Sequence, residues 1–120
     1  MTRVMIVDDT EFMRMVIRDT LIKHGYEVVA EAADGEEAIQ TYLKIKPDLV
    51  LMDITMPNMS GEEALKKLLF MDPKAKVLMC SSLGQQAVIT ESLKIGAVGF
   101  IVKPFEPDEM VAVMRKITAK

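Results

Sequence analysis

Short apolar runs alternate with longer amphipathic stretches along this chain. Arg3-Val4-Met5-Ile6-Val7 is rich in β-formers, too short for a helix, and stops at Asp8-Asp9, which predicts a first strand. From about Glu11 to His24 the period becomes helical, with Met13, Val16, Ile17, Thr20 and Leu21 on one face. Asp9 or Thr10 is placed to cap that helix, and Gly25 to stop it. His24 falls in its last turn, where partial positive charge suits the helix dipole. Residues 27–32 predict a second strand. Asp34-Gly35 then opens a helix carrying Ala38, Ile39, Tyr42, Leu43 and Ile45, ended by Pro47.

Residues 48–53 predict a third strand, whose apolar run ends on Asp53 before the loop Ile54 to Gly61. Ser60 with Glu63 is a capping box for a third helix, whose apolar face is Ala64, Leu65, Leu68 and Leu69. Asp72-Pro73 turns the chain into a fourth strand over 76–81. A helix follows from about Gln85 to Ile95, closed by Gly96. The fifth strand is 98–102, ending at Lys103-Pro104-Phe105. Pro107 opens a last helix with Asp108 and Glu109 in its first turn and a stripe of Met110, Val113, Met114 and Ile117. Five strands alternating with five helices over short crossovers predict an α/β fold, (βα)5, with a five-stranded parallel sheet doubly wound by helices. One domain over residues 1–120 is expected, without an effector domain.

Composition narrows the function. At 120 residues the chain can build one core without staples. A formal charge of −3 argues against a nucleic-acid binder that works through a basic patch. The single cysteine, Cys80, excludes an internal disulfide and a cysteine-based zinc site, and fits a reducing cytoplasm. No run suits a membrane span, and Met1-Thr2-Arg3 leads into a strand without a signal peptide. The eleven methionines read as an adaptable core. A cytoplasmic monomer is expected, and a start at methionine with an end soon after the last helix points to a complete protein.

In a parallel sheet, the strand ends that precede helices share one edge. That edge carries Asp8-Asp9, Asp53, Ser81 and Lys103. Asp8-Asp9 could merely cap the first helix, and Ser81 or Lys103 alone would be an ordinary strand-end side chain. If the strand order is 2-1-3-4-5, carried over by analogy from flavodoxin-like folds, three carboxylates meet beside a hydroxyl and an ammonium. Three such carboxylates cannot all stay charged without a cation. Mg²⁺ is the natural one, since it prefers oxygen and uses one or two carboxylates plus a substrate phosphate. The chemistry this points to is phosphoryl transfer to a carboxylate nucleophile, with Lys103 and Ser81 on the phosphoryl oxygens.

The chain resembles, over its whole length, the receiver domains of two-component response regulators, and within them the stand-alone chemotaxis regulators. The resemblance rests on Val4-Met5-Ile6-Val7-Asp8-Asp9, Phe12-Met13-Arg14, Met52-Asp53-Ile54-Thr55-Met56-Pro57, Met79-Cys80-Ser81, Gly84-Gln85-Gln86 and Phe100-Ile101-Val102-Lys103-Pro104-Phe105. It implies that Asp53 is the phosphoacceptor for a histidine kinase. Mg²⁺, or Mn²⁺ in its place, would be held by Asp9 and Asp53, by Asp8 mostly through water, and by the Thr55 carbonyl. Ser81 and Phe100 would be the switch pair, Lys103 the phosphate-binding lysine, and the bond before Pro104 cis. Thr55 and Leu83 occupy positions that tune phosphate lifetime. Output would be docking of the fourth-helix, fifth-strand and fifth-helix face to a partner, a flagellar motor switch protein. Phe12 and Met15 lie off the first helix's core stripe; docking a kinase or phosphatase, or packing under neighbouring loops, are both open. Ser82, where the family commonly has alanine, puts a second hydroxyl beside Ser81.

Other readings fit less well. A haloacid-dehalogenase-like phosphatase wants D-x-D after the first strand, and this chain has adjacent aspartates and no cap domain. A flavodoxin-like carrier wants a hydroxyl- and glycine-rich phosphate loop there, where two carboxylates would repel a phosphate. A phosphorelay receiver, or a receiver cut from a DNA-binding regulator, is the remaining alternative.

Overall fold

The computed structural model describes residues 1–104 and 106–118; Phe105, part of the last motif, lies outside them. The elements are β1 (Arg3–Val7), α1 (Glu11–Lys23), β2 (Glu27–Ala32), α2 (Gly35–Ile45), β3 (Leu49–Asp53), α3 (Gly61–Met71), β4 (Val77–Ser82), α4 (Gln86–Ile95), β5 (Gly99–Lys103) and α5 (Pro107–Thr118). All strand pairs are parallel, in the order β2-β1-β3-β4-β5. The predicted architecture is therefore the observed one. β4 and β5 each lie one residue later than the apolar runs suggested. Cross-strand pairing continues through Ser82 opposite Lys103, so hydrogen bonding carries two polar residues into the strands.

Side-chain alternation along the strands builds two cores. Val4 and Ile6, Leu49 and Leu51, and Leu78 and Cys80 pack with Ile17 and Leu21 of α1 and Met110 and Met114 of α5. Met5 and Val7, Val50 and Met52, and Val77 and Met79 pack on the opposite face with Ala38 and Tyr42 of α2, Leu65 and Leu68 of α3, and Ile89 of α4.

Local signals set most helix starts. Asp34 accepts from the Glu37 N–H at 2.8 Å, while the Glu37 carboxylate accepts from the Ala33 N–H at 2.7 Å. Ser60 caps α3 by accepting from the Glu63 N–H at 3.2 Å. The expected cap of α1 is absent: Thr10 holds the N-cap position but its side chain makes no cap bond. Its hydroxyl donates instead to Asp8, 2.9 Å away. His24 closes α1, with ring Nδ1 2.8 Å from the Thr20 carbonyl oxygen.

Candidate functional site

Strand phase brings the charged residues together. Asp8 continues the alternation of Val4 and Ile6, Asp53 that of Leu49 and Leu51, and Lys103 that of Ile101, so all three fall on the α1/α5 side of one sheet edge. Lys103 Nζ lies 2.7 Å from Asp8 Oδ2 and 3.4 Å from Asp53 Oδ2. The other Asp8 oxygen accepts from the Thr10 backbone N–H and hydroxyl, each at 2.9 Å. Asp8 and Asp53 are buried, whereas Asp9 stands exposed at the rim. One carboxylate oxygen from each of Asp8, Asp9 and Asp53 lies within 4.8 Å of the others. An all-oxygen donor set of this kind suits a hard divalent cation.

Electrostatics follow from this packing. Burial raises the Asp53 pKa above the ordinary carboxylate value; Lys103 opposes the rise, and the Asp8 charge adds to it. The Thr55 backbone N–H also favours the charged form of Asp53. Burial works against the charge on Lys103 too, but the hydrogen bond to Asp8 and the charges of Asp53 and Asp8 outweigh it, and its pKa is raised. The ammonium therefore stays on at neutral pH. Burial pushes the neighbouring Cys80 thiol up to about 12, which removes it as a nucleophile at neutral pH.

Three supporting residues had no role assigned from the sequence. Arg14 Nη1 donates to the Asp8 carbonyl at 2.6 Å, and its Nε lies 3.4 Å from Glu31, tying α1 to β1 and β2. Gly61 begins α3 where a Cβ would drive into the Asp53 carbonyl oxygen, with that carbonyl's carbon and Ile54 Cα both at 2.9 Å. Gln85 precedes α4 and bonds across to Thr55 at 2.8 Å. A glycine directly after a capping serine is a sequence signal for Gly61. The contacts of the other two depend on separate elements meeting in space.

Ser81 stands apart from the carboxylate cluster. It continues the phase of Val77 and Met79 on the α2–α4 side, fully buried, and its hydroxyl faces the Ile101 carbonyl oxygen at 3.4 Å. That is long for a hydroxyl donor, so the group is weakly held. Phe100 pairs with Met79 in register, two residues short of Ser81 on β4, and is 42% exposed rather than core. Ser82 points into solvent. The Lys103-Pro104 bond is cis, as the resemblance implied. Thr55 is exposed with its hydroxyl in the Gln85 bond, and Leu83 is exposed. Phe12 and Met15 are 67% and 40% exposed, so they do not pack under neighbouring loops.

A doubly wound parallel sheet with acidic residues and a lysine at the carboxyl ends of β1, β3 and β5 defines a two-component receiver. Residues 4–115 match the response regulator receiver domain, and the chain belongs to that family. It is 51% identical to the chemotaxis protein CheY of Thermotoga maritima, covering 97% of each chain. It is also 50% identical to Protein CcdB of Bacillus subtilis, covering 98% of each. Among solved structures it is similar to the CheX-CheY-BeF3-Mg²⁺ complex from Borrelia burgdorferi. That match has a TM-score of 0.95 and 34% identity, and covers 99% of this chain and 90% of that one.

Proposed function

We propose that this chain is a stand-alone, single-domain response regulator that takes a phosphoryl group from a histidine kinase onto Asp53 and signals by docking another protein. The observation that carries it is Lys103 standing between Asp8 and Asp53 beside the open Asp9 carboxylate. An Asp53 oxygen attacks the phosphorus of a phosphohistidine, the P–N bond breaks, and the imidazole leaves with the electron pair and takes up a proton. Asp9, Asp53 and the Thr55 carbonyl would hold Mg²⁺ or Mn²⁺ directly. Asp8, whose oxygens are engaged by Lys103 and Thr10, would act mostly through water. When bound, the metal supplies neutralisation of charge on the phosphoryl oxygens. Lys103 takes one phosphoryl oxygen and Ser81 another. The protein turns over its own phosphate and has no other substrate.

Ser81 moving to the phosphoryl group leaves space that Phe100 fills by turning inward. A full two-state shift needs about 5.5 kcal/mol of differential stabilisation. One charged hydrogen bond contributes about 1.5–3 kcal/mol. Phe100 lacks the hydroxyl that could add another, so phosphate shifts the equilibrium in part and the partner completes it. The output face is α4-β5-α5, where Phe100, Leu93, Val98, Val113 and Ile117 line an open depression. The chemotaxis proteins among its relatives support a chemotaxis role; within it the partner would be a flagellar motor switch protein, in the cytoplasm. Phe12 and Met15 supply a separate docking point for the kinase or a phosphatase, and Thr55 and Leu83 tune phosphate lifetime. The 50% identity to Protein CcdB, a relative whose name does not mention chemotaxis, keeps a second reading, a phosphorelay receiver with a different output.

The test is incubation with a small phosphodonor, with and without Mg²⁺, followed by intact mass. A phosphoryl gain that needs Mg²⁺ and is lost in Asp53→Asn is expected; an equal gain in Asp53→Asn sinks the assignment. A pull-down of motor switch protein favouring the phosphorylated form separates the two outputs.

A further inference from the structure

β3 and β4 run side by side up to the Ile54 N–H, which donates to the Cys80 carbonyl at 3.0 Å. Beyond that rung their loops part around the mouth above Asp53. Among the described residues, one hydrogen bond rejoins them, from Gln85 Nε2 to Thr55 Oγ1 at 2.8 Å. The other end of the same amide accepts the Ser82 N–H at 2.6 Å. Because a backbone N–H can only donate, the carbonyl end of Gln85 must face Ser82 and its NH2 must face Thr55. Gly84, at φ +88°, folds the loop back so that Gln85 reaches across. Gln85 also holds the N-cap position of α4, yet its side chain does not cap that helix. Both hydrogen bonds of its side chain, one through each end of the amide, go to the crosslink. At the far side of the strap, Thr55 stands two residues beyond Asp53, in the loop that leaves β3.

We propose that Gln85 is a positioning residue that sets how long a phosphoryl group stays on Asp53, by fixing the gap between the two loops through which water reaches it. The inference rests on the phosphoacceptor reading above. In the step concerned, a water oxygen attacks phosphorus, the bond from phosphorus to the Asp53 oxygen breaks with its electron pair restoring the carboxylate, and inorganic phosphate leaves with the water's oxygen and one of its protons while the other passes to solvent. The strap narrows that approach, so removing it speeds hydrolysis.

The experiment follows loss of phosphoryl from the full chain by intact mass in Mg²⁺ after the donor is removed. It compares wild type, Gln85→Ala, Thr55→Val and the double variant. Gln85→Ala is expected to lose phosphate roughly two- to tenfold faster, the scale of one hydrogen bond. In the Thr55→Val background, which lacks the acceptor hydroxyl, the same change should have almost no further effect. An equal ratio in both backgrounds, or no ratio in the Thr55 chain, overturns the inference. A merely structural Gln85 would lower Tm in both backgrounds without this dependence on Thr55. Failure of wild type to gain any Mg²⁺-dependent phosphoryl is a different result, and removes the parent reading instead.

Discussion

The Lys103 ammonium is closer to Asp8, at 2.7 Å, than to Asp53, at 3.4 Å. It thus stands where an incoming cation would neutralise the acidic pair, and a divalent ion must share those carboxylates with it. Lys103→Met should therefore bind Mg²⁺ more tightly, by roughly tenfold, because a fixed positive charge a few ångströms away is gone. The same variant should lose phosphoryl-dependent signalling. Calorimetric titration reads the first effect; weaker Mg²⁺ binding in the variant would mean the lysine orients the carboxylates more than it competes.

Asp53 gives a pH signature in metal-free buffer. Its folded pKa is raised, chiefly by burial, so the folded chain holds this proton to higher pH than the unfolded chain. Between the two values the folded state binds more protons, and stability falls as pH rises. The charge on Asp53 thus costs stability above the ordinary carboxylate range. With EDTA present, Asp53→Asn should raise Tm at neutral pH, and the gain should fade below about pH 4, where both states of the wild type are protonated. A gain of equal size at both pH values would point to packing rather than charge.

Gly61→Ala separates two opposing effects. Helix propensity alone favours alanine over glycine by about 1 kcal/mol. The new Cβ, however, meets the backbone of Asp53 and Ile54, which cannot rotate away. Sterics should win, with a net loss of about 3 kcal/mol or more in denaturant unfolding. If the variant folds by moving the loop, Asp53 moves too, and Mg²⁺ binding weakens. A variant at least as stable as wild type with unchanged Mg²⁺ affinity would show that the close approach is dispensable.

Much of the fold was legible because its signals are local. Runs such as Leu49 to Met52 are buried on both faces, Ser60 and Asp34 cap as expected, and the strand-end acids stand out at the close of apolar runs. Strand order was supplied by analogy, since nothing in one chain fixes which strands are neighbours. Asp9 or Thr10 was expected to cap α1; Thr10 holds the N-cap position, but its hydroxyl makes no cap bond and donates to the buried Asp8, a contact visible only in the fold. Arg14 and Gln85 look like ordinary polar helix residues in sequence. Their partners come from other elements, and no spacing rule connects residue 85 to residue 55.

The strand alternation has a bearing on how a message could leave this site. Asp8, Asp53 and Lys103 are in phase with the α1/α5 core, while Ser81 and Phe100 are in phase with the other. The sheet is thus a partition wall between the acidic site and the pair proposed above as the switch. On the phosphoacceptor reading, a change at Asp53 must pass through the wall, and β4, which lies between β3 and β5, is the doorway. On that reading, substitutions packed under α1, away from the α4-β5-α5 face, should alter how long the signal lasts more than who hears it, and those under α4 the reverse.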